Sequence, residues 1–162
     1  MTGRLLALIG ALICGCSEGL AQPLDPEARA MWELVNEARA SSRYAAETGG
    51  DARALAWDRD LAKVARRQAR HMLEHDYFAH VDPNGTGPSD RVDAAGIPWT
   101  AVGENIAWHG SVGSAHAAFM DEPPFQPNHR ATILDPRFTH LGVGTVRDGA
   151  GRVIIVQVFR RG

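Results

Sequence analysis

The sequence predicts an α+β fold with helices packed on both faces of a small antiparallel sheet, and three observations carry that prediction. Two stretches between Asp25 and Met72 repeat apolar residues at helical spacing. Two apolar runs, Leu141 to Val146 and Val153 to Phe159, flank Asp148-Gly149, a hairpin signal. Val153 to Val156 is apolar enough to be a central strand, which needs cover on both faces.

The elements follow in chain order. Asp25-Pro26 reads as a cap followed by proline at the first helical position, and Ala30, Leu34, Val35 and Ala38 mark one face of a helix ending near Ser41. Ser42 to Ala54 is polar, contains Gly49-Gly50 and reads as a loop. After Asp58, Leu61, Val64, Ala65, Gln68, Ala69 and Met72 recur at helical spacing, with Arg66, Arg67 and Arg70 on the wet side. Asp82 to Pro88 is the densest cluster of turn formers. Ser89 to Ala95 reads as a short helix capped by Ser89 and stopped by Gly96, and Val102 to Trp108 as an extended segment. Ser111 caps a further helix whose Val112, Ala115, His116 and Phe119 share a face, and Pro123-Pro124 prevents its continuation.

Length and charge limit the function classes. The 162 residues suit one domain, and a net charge of −2 from 17 basic and 19 acidic side chains offers no footprint for nucleic acid or an anionic membrane surface. Residues 1–15 read as an export signal: Arg4 precedes Leu5 to Ile13, an apolar run too short to span a bilayer. Ile13-Cys14-Gly15-Cys16 resembles a bacterial lipobox, which makes Cys16 the lipid attachment site and a lipid anchor the only membrane contact. Cleavage after Gly19-Leu20-Ala21 is the alternative and gives a secreted product. Ser17 resembles the sorting position of outer-membrane lipoproteins. Residues 16–26 form a short linker and residues 27–162 a single domain. Both cysteines lie in the leader, so the domain has no internal disulfide and rests on packing.

The chemistry concentrates in three segments. Tyr77-Phe78-Ala79-His80, Gly103-Glu104-Asn105-Ile106-Ala107 and Asn128-His129-Arg130-Ala131-Thr132-Ile133-Leu134 set two histidines and a carboxylate between tight, apolar flanks. Such groups are costly to bury unpaired, so a fold that gathers them uses them as metal ligands, proton carriers or polar ligand contacts. The bland alternative is a structural network, with both histidines tying loops to the sheet and Glu104 accepting from backbone donors near Gly103.

These segments, with Leu34-Val35-Asn36-Glu37-Ala38-Arg39 upstream and Leu141-Gly142-Val143-Gly144 downstream, resemble the CAP superfamily of cysteine-rich secretory proteins, antigen 5 and pathogenesis-related proteins. The likeness runs from about Glu27 to Phe159 and is closest to the secreted bacterial branch. It implies a three-layer α/β/α sandwich and a cleft lined by two histidines and two acidic residues, of which His80, Glu104 and His129 match three. Glu122 is the fourth candidate, three positions after Phe119, where family members carry an aromatic residue and then glutamate; Asp121 competes for the role. The chain lacks the disulfides and the cysteine-rich module of the eukaryotic branch.

Two neutral imidazoles at one cavity suit zinc or another borderline divalent ion, with water completing the coordination and carboxylates holding that water or the ring N–H groups. The expected function is an exported, lipid-anchored binding protein of the cell envelope whose His/Glu cleft takes a divalent metal, a small molecule, a lipid or an envelope ligand. The alternative is a hydrolase of envelope peptide or glycan, with metal-bound water as nucleophile and Glu104 or Glu122 as base. No G-x-S-x-G elbow or phosphate-binding glycine loop appears.

A second pattern competes. His71-Met72-Leu73-Glu74-His75 has the H-x-x-E-H spacing of one zinc-protease class, but five residues near a helix C-terminus are more simply a wet face with a favourable dipole contact. His109, His116 and His140 have no partner pattern. Trp57, Trp99 and Trp108 read as core residues before they read as a ligand-binding rim.

Overall fold

Asp25 starts the first helix because its Oδ1 accepts from the N–H groups of Glu27 and Ala28 at 3.0 and 3.1 Å, with Pro26 pre-set in the first turn. This helix, α1 (Pro26–Ala40), opens the computed structural model, which describes residues 24–162. The leader, Cys16, the alternative cut after Ala21 and the linker up to Pro23 lie outside the described residues. The expected loop after α1 is partly helical: a 3-10 turn (Ser42–Tyr44) leads into α2 (Ala45–Thr48). Then come β1 (Ala56–Trp57), α3 (Arg59–Glu74), α4 (Pro88–Ala94), β2 (Ala101–His109), α5 (Val112–Met120), α6 (His129–Leu134), β3 (His140–Arg147) and β4 (Val153–Arg161). None of the described helices is long and apolar enough to cross a membrane.

The sheet order is β1-β3-β4-β2; β3, β4 and β2 are antiparallel neighbours, while the two-residue β1 pairs parallel with β3 at one edge. Alternation along β4 builds the two cores. Val153, Ile155 and Phe159 face α1, α5 and α6, and Ile154, Val156 and Val158 face α3 and α4. Each such side chain contributes about 1.5–3 kcal/mol when fully buried. The three-layer α/β/α prediction therefore holds.

Local details differ from expectation for identifiable reasons. The short fourth helix begins at Pro88 and is capped from within: the Gly87 N–H donates to Asp90 Oδ2 at 2.7 Å, so Ser89 is not the cap. The β3–β4 connection is longer than a two-residue turn. The Gly151 N–H returns to the Asp148 carbonyl at 3.0 Å, and Gly151, at φ +80°, holds the left-handed position rather than Gly149.

Asp58 joins the two halves of the second core. Its Oδ1 caps α3 by accepting from Asp60 and Leu61 N–H at 2.9 and 3.0 Å, and its Oδ2 accepts from Arg160 Nε on β4 at 2.8 Å. Burial pushes the carboxyl up, but the Leu61 N–H and the Arg160 guanidinium outweigh it and hold the group below the usual carboxylate range. A depressed carboxyl stabilises the fold above its unfolded pKa and loses that contribution as pH falls through the folded value. Asp58→Ala should therefore cost about 1–3 kcal/mol at pH 7 through loss of the cap and the charged bond, with the difference from wild type narrowing below about pH 4. Urea unfolding at pH 7 and pH 3 measures both values.

Candidate functional site

The first half of the site is built on β2, which lies at the sheet edge opposite β1. Glu104 stands opposite Val158 in the β2–β4 register, on the face covered by α3 and α4, and its side chain is only 1% exposed. A carboxylate buried this deeply needs paired donors. Its Oε1 accepts from His80 Nδ1–H at 2.9 Å and its Oε2 from Arg91 Nη2 at 2.8 Å. Arg91, on α4, also donates to the backbone carbonyls of Thr86 and His80 at 2.9 and 3.0 Å. One guanidinium thus compensates the buried charge and anchors the loop that carries His80. Arg91 carries no signal in the sequence, because a single arginine on a short helix has no local pattern linking it to a distant strand.

The second half is built around α6, which was not foreseen as a helix. Asn128 Oδ1 caps it by accepting from Ala131 N–H at 2.9 Å, while Asn128 Nδ2 donates to the Pro123 carbonyl at 2.8 Å. Asparagine at that position is the signal that would have revealed the helix. His129 Nδ1–H donates to Glu122 Oε1 at 2.6 Å, and Glu122 Oε2 accepts from the Arg130 N–H at 3.2 Å. The His129 ring stacks on Phe119 with centroids 4.6 Å apart and planes inclined by 27°. Glu122, not Asp121, therefore partners the histidine. Arg130 reaches Glu47 and donates to the Met120 carbonyl at 2.8 Å, tying α6 to α2 and α5.

His80, Glu104, Glu122 and His129 line one cleft of about 650 Å³ along the free edge of β2. Asn105 beneath it is 1% exposed and donates to the His129 carbonyl at 3.1 Å and to Gln157 Oε1 at 2.9 Å, joining the α6 half to the sheet. Gly103 is required for space: a Cβ there would meet Phe138 Cζ at 2.8 Å and Thr132 Cγ2 at 3.1 Å.

The hydrogen bonds define the chemistry the cleft offers. A carboxylate only accepts, so each histidine carries a proton on Nδ1, and the neutral ring has its lone pair on Nε2. This carboxylate–histidine arrangement fixes the orientation of each ring. Both oxygens of Glu104 and both of Glu122 are already engaged within the protein. Among the described residues no group of three or more His, Cys, Asp or Glu side chains converges to hold an ion. What the cleft offers an ion is its two imidazole rings, one on each side. His71 and His75 lie at the end of α3 and do not line this cleft; neither do Trp57, Trp99 and Trp108, which pack against the two cores.

Comparison with known proteins agrees with this architecture. Residues 32–159 match the model of the CAP cysteine-rich secretory protein family. The chain is 36% identical over 94 residues to the uncharacterized protein YkwD of Bacillus subtilis (strain 168), an alignment covering 57% of this chain and 35% of that protein. An extracellular protein containing an SCP domain from Bacillus anthracis superposes with a TM-score of 0.67 at 28% identity, covering 88% of this chain and 45% of that one. An outer surface protein of Borrelia burgdorferi shares the fold at a TM-score of 0.69 and 18% identity, covering 83% of this chain and 92% of that one. The chain spans less than half the length of the Bacillus proteins it matches. From the family match over most of its length, the three-layer sandwich and the shared fold of these structures, the chain belongs to the CAP cysteine-rich secretory protein family.

Proposed function

We propose that this protein is an exported binding module, held at the cell envelope through lipid on Cys16, whose cleft takes a divalent cation between His80 and His129 and uses it to bind an anionic or hydroxylated envelope ligand. The observation that carries this reading is the pair of matched His–carboxylate hydrogen bonds, which leave one Nε2 lone pair on each ring in a shared cleft. The ion would supply Lewis acidity toward ligand oxygens, and the protein's contribution is to orient the rings and hold their Nδ1 protons. The hydrolase alternative needs a carboxylate free to take a proton from water, and the engaged oxygens of Glu104 and Glu122 favour binding over that role. The leader, with Cys16 after a small residue, supports export and anchoring.

The test is a calorimetric zinc titration of the full chain carrying Cys14→Ser and Cys16→Ser, so that no thiol competes for metal. One site lost in His80→Ala/His129→Ala, with folding intact by circular dichroism, is the expected result. An unchanged isotherm in that variant refutes the metal-cleft reading. Zinc-dependent release of fragments from cell-wall material, abolished by Glu104→Gln, would replace the binding reading with the hydrolase.

A further inference from the structure

The C-terminal end of α3 carries a histidine pair that the cleft does not use. His71 and His75 are four residues apart, one helical turn, and their ring centroids lie 4.0 Å apart with planes inclined by 35°. His75 Nδ1–H donates to the His71 carbonyl at 3.0 Å; a carbonyl only accepts, so the His75 Nε2 lone pair is free. His71 Nδ1 lies 2.7 Å from the Tyr77 hydroxyl, whose own proton has an acceptor in Gln68 Oε1 at 3.4 Å. Gln68 Nε2 in turn donates to the Tyr77 oxygen at 3.2 Å and to the Ala79 carbonyl at 3.3 Å, fixing that oxygen in place. A metal on the His71 Nε2 selects the tautomer in which Nδ1–H donates to the phenol oxygen and the Tyr77 proton turns to Gln68 Oε1. His75 is exposed and His71 half-buried, so an ion can enter from solvent.

The geometry points to a divalent transition-metal site, separate from the cleft, in which His71 and His75 bind one ion through their Nε2 atoms, with water in the remaining positions. Two imidazoles and water suit copper(II) most strongly and zinc next, following the affinity order for nitrogen donors. Tyr77 is a positioning residue, because it holds the His71 ring by the nitrogen that the metal does not use. Glu74, at the position that activates water in the H-x-x-E-H zinc proteases, is given no role at this site.

The test is copper(II) titration of the full chain carrying Cys14→Ser and Cys16→Ser, followed by electron paramagnetic resonance. Wild-type residues at 71 and 75 should give a copper signal coupled to two nitrogens. That signal should persist in His80→Ala/His129→Ala, which isolates this site from the cleft. In that same background His75→Ala, at an exposed position, should abolish the two-nitrogen signal, and Tyr77→Phe should weaken copper binding about 10-fold. In the His80→Ala/His129→Ala background, copper affinity unchanged by His75→Ala, or coupling to a single nitrogen, overturns the site.

Discussion

Gly144→Ala is expected to abolish the cooperative fold. A Cβ at Gly144 would sit 2.0 Å from Arg66 N and 2.4 Å from Ala65 C, and one at Gly142 would sit 2.2 Å from Ala62 N and 2.3 Å from Leu61 C. These are backbone atoms of α3, so no side chain can rotate out of the way. The helix would have to lift from β3 along its length, separating Leu61, Val64, Ala65 and Ala69 from Ile154 and Val156. Ordinary overpacking costs about 1–3 kcal/mol because side chains and backbone share the strain. A clash between two backbones exceeds that, in the range above about 4–5 kcal/mol that only a few mechanisms reach. Set against about 5–15 kcal/mol for a whole domain, this is most of the stability. Gly142→Ala should behave alike, whereas Gly113→Ala on α5, with nothing within 4 Å of its Cβ, should leave stability unchanged or slightly raised. Thermal melts followed by circular dichroism distinguish these cases; a cooperative melt for Gly144→Ala near the wild-type midpoint would contradict the packing argument.

Arg39→Met is expected to cost about 3–5 kcal/mol, because it leaves four carbonyls without their donor, at about 1–3 kcal/mol for each that stays buried. Arg39 is 3% exposed on α1, and its guanidinium donates to four carbonyls: Arg53 at 2.8 Å, Ile133 at 2.8 Å, Asp135 at 2.9 Å and Phe138 at 3.3 Å. Burial pushes its pKa down to about 10, against the favourable pull of the Asp135 charge, so the group stays protonated at neutral pH. Ile133 lies in the last turn of α6, whose carbonyls lack helical partners, and Arg39 supplies the missing donors. Methionine preserves the apolar stem but leaves those acceptors without donors. Lysine keeps the charge yet lacks the planar fork, so Arg39→Lys should recover only a minor part. Because α6 carries His129, the zinc affinity proposed for the cleft should fall along with urea stability. If Arg39→Met leaves both unchanged, the guanidinium is not what holds α6 in place.

The parts of the fold legible in the sequence are those governed by near neighbours. Asp25-Pro26 and Asp58 mark the starts of α1 and α3 because a cap acts within its own turn. The apolar spacing of α3 and the two apolar runs around Asp148 place a buried helix face and a hairpin for the same reason. Where several turn signals compete, as with Gly149 and Gly151, local chemistry locates the turn without selecting its geometry. The six residues of α6 are too few for a periodic pattern, and only the Asn128 cap marks its start.

Three of the four cleft residues, His80, Glu104 and His129, were accessible from motif and resemblance, with Glu122 as one of two candidates for the fourth, and all four line the cleft along the edge of β2. The choice of Glu122 over Asp121 was not accessible, because adjacent carboxylates at a helix end are separated only by where the chain turns next. Arg91 holding Glu104, Arg39 serving α6, and the glycines that let α3 touch β3 were equally hidden. By itself the sequence determined the layer architecture, the long helices, the hairpin and the ionisable residues available for a site, since periodicity, caps and residue chemistry act over a few positions. Only the tertiary structure decided which carboxylate holds which imidazole, which nitrogen is left free, and where a single added methyl group cannot fit. Those outcomes depend on distances of a few tenths of an ångström between segments far apart in the chain.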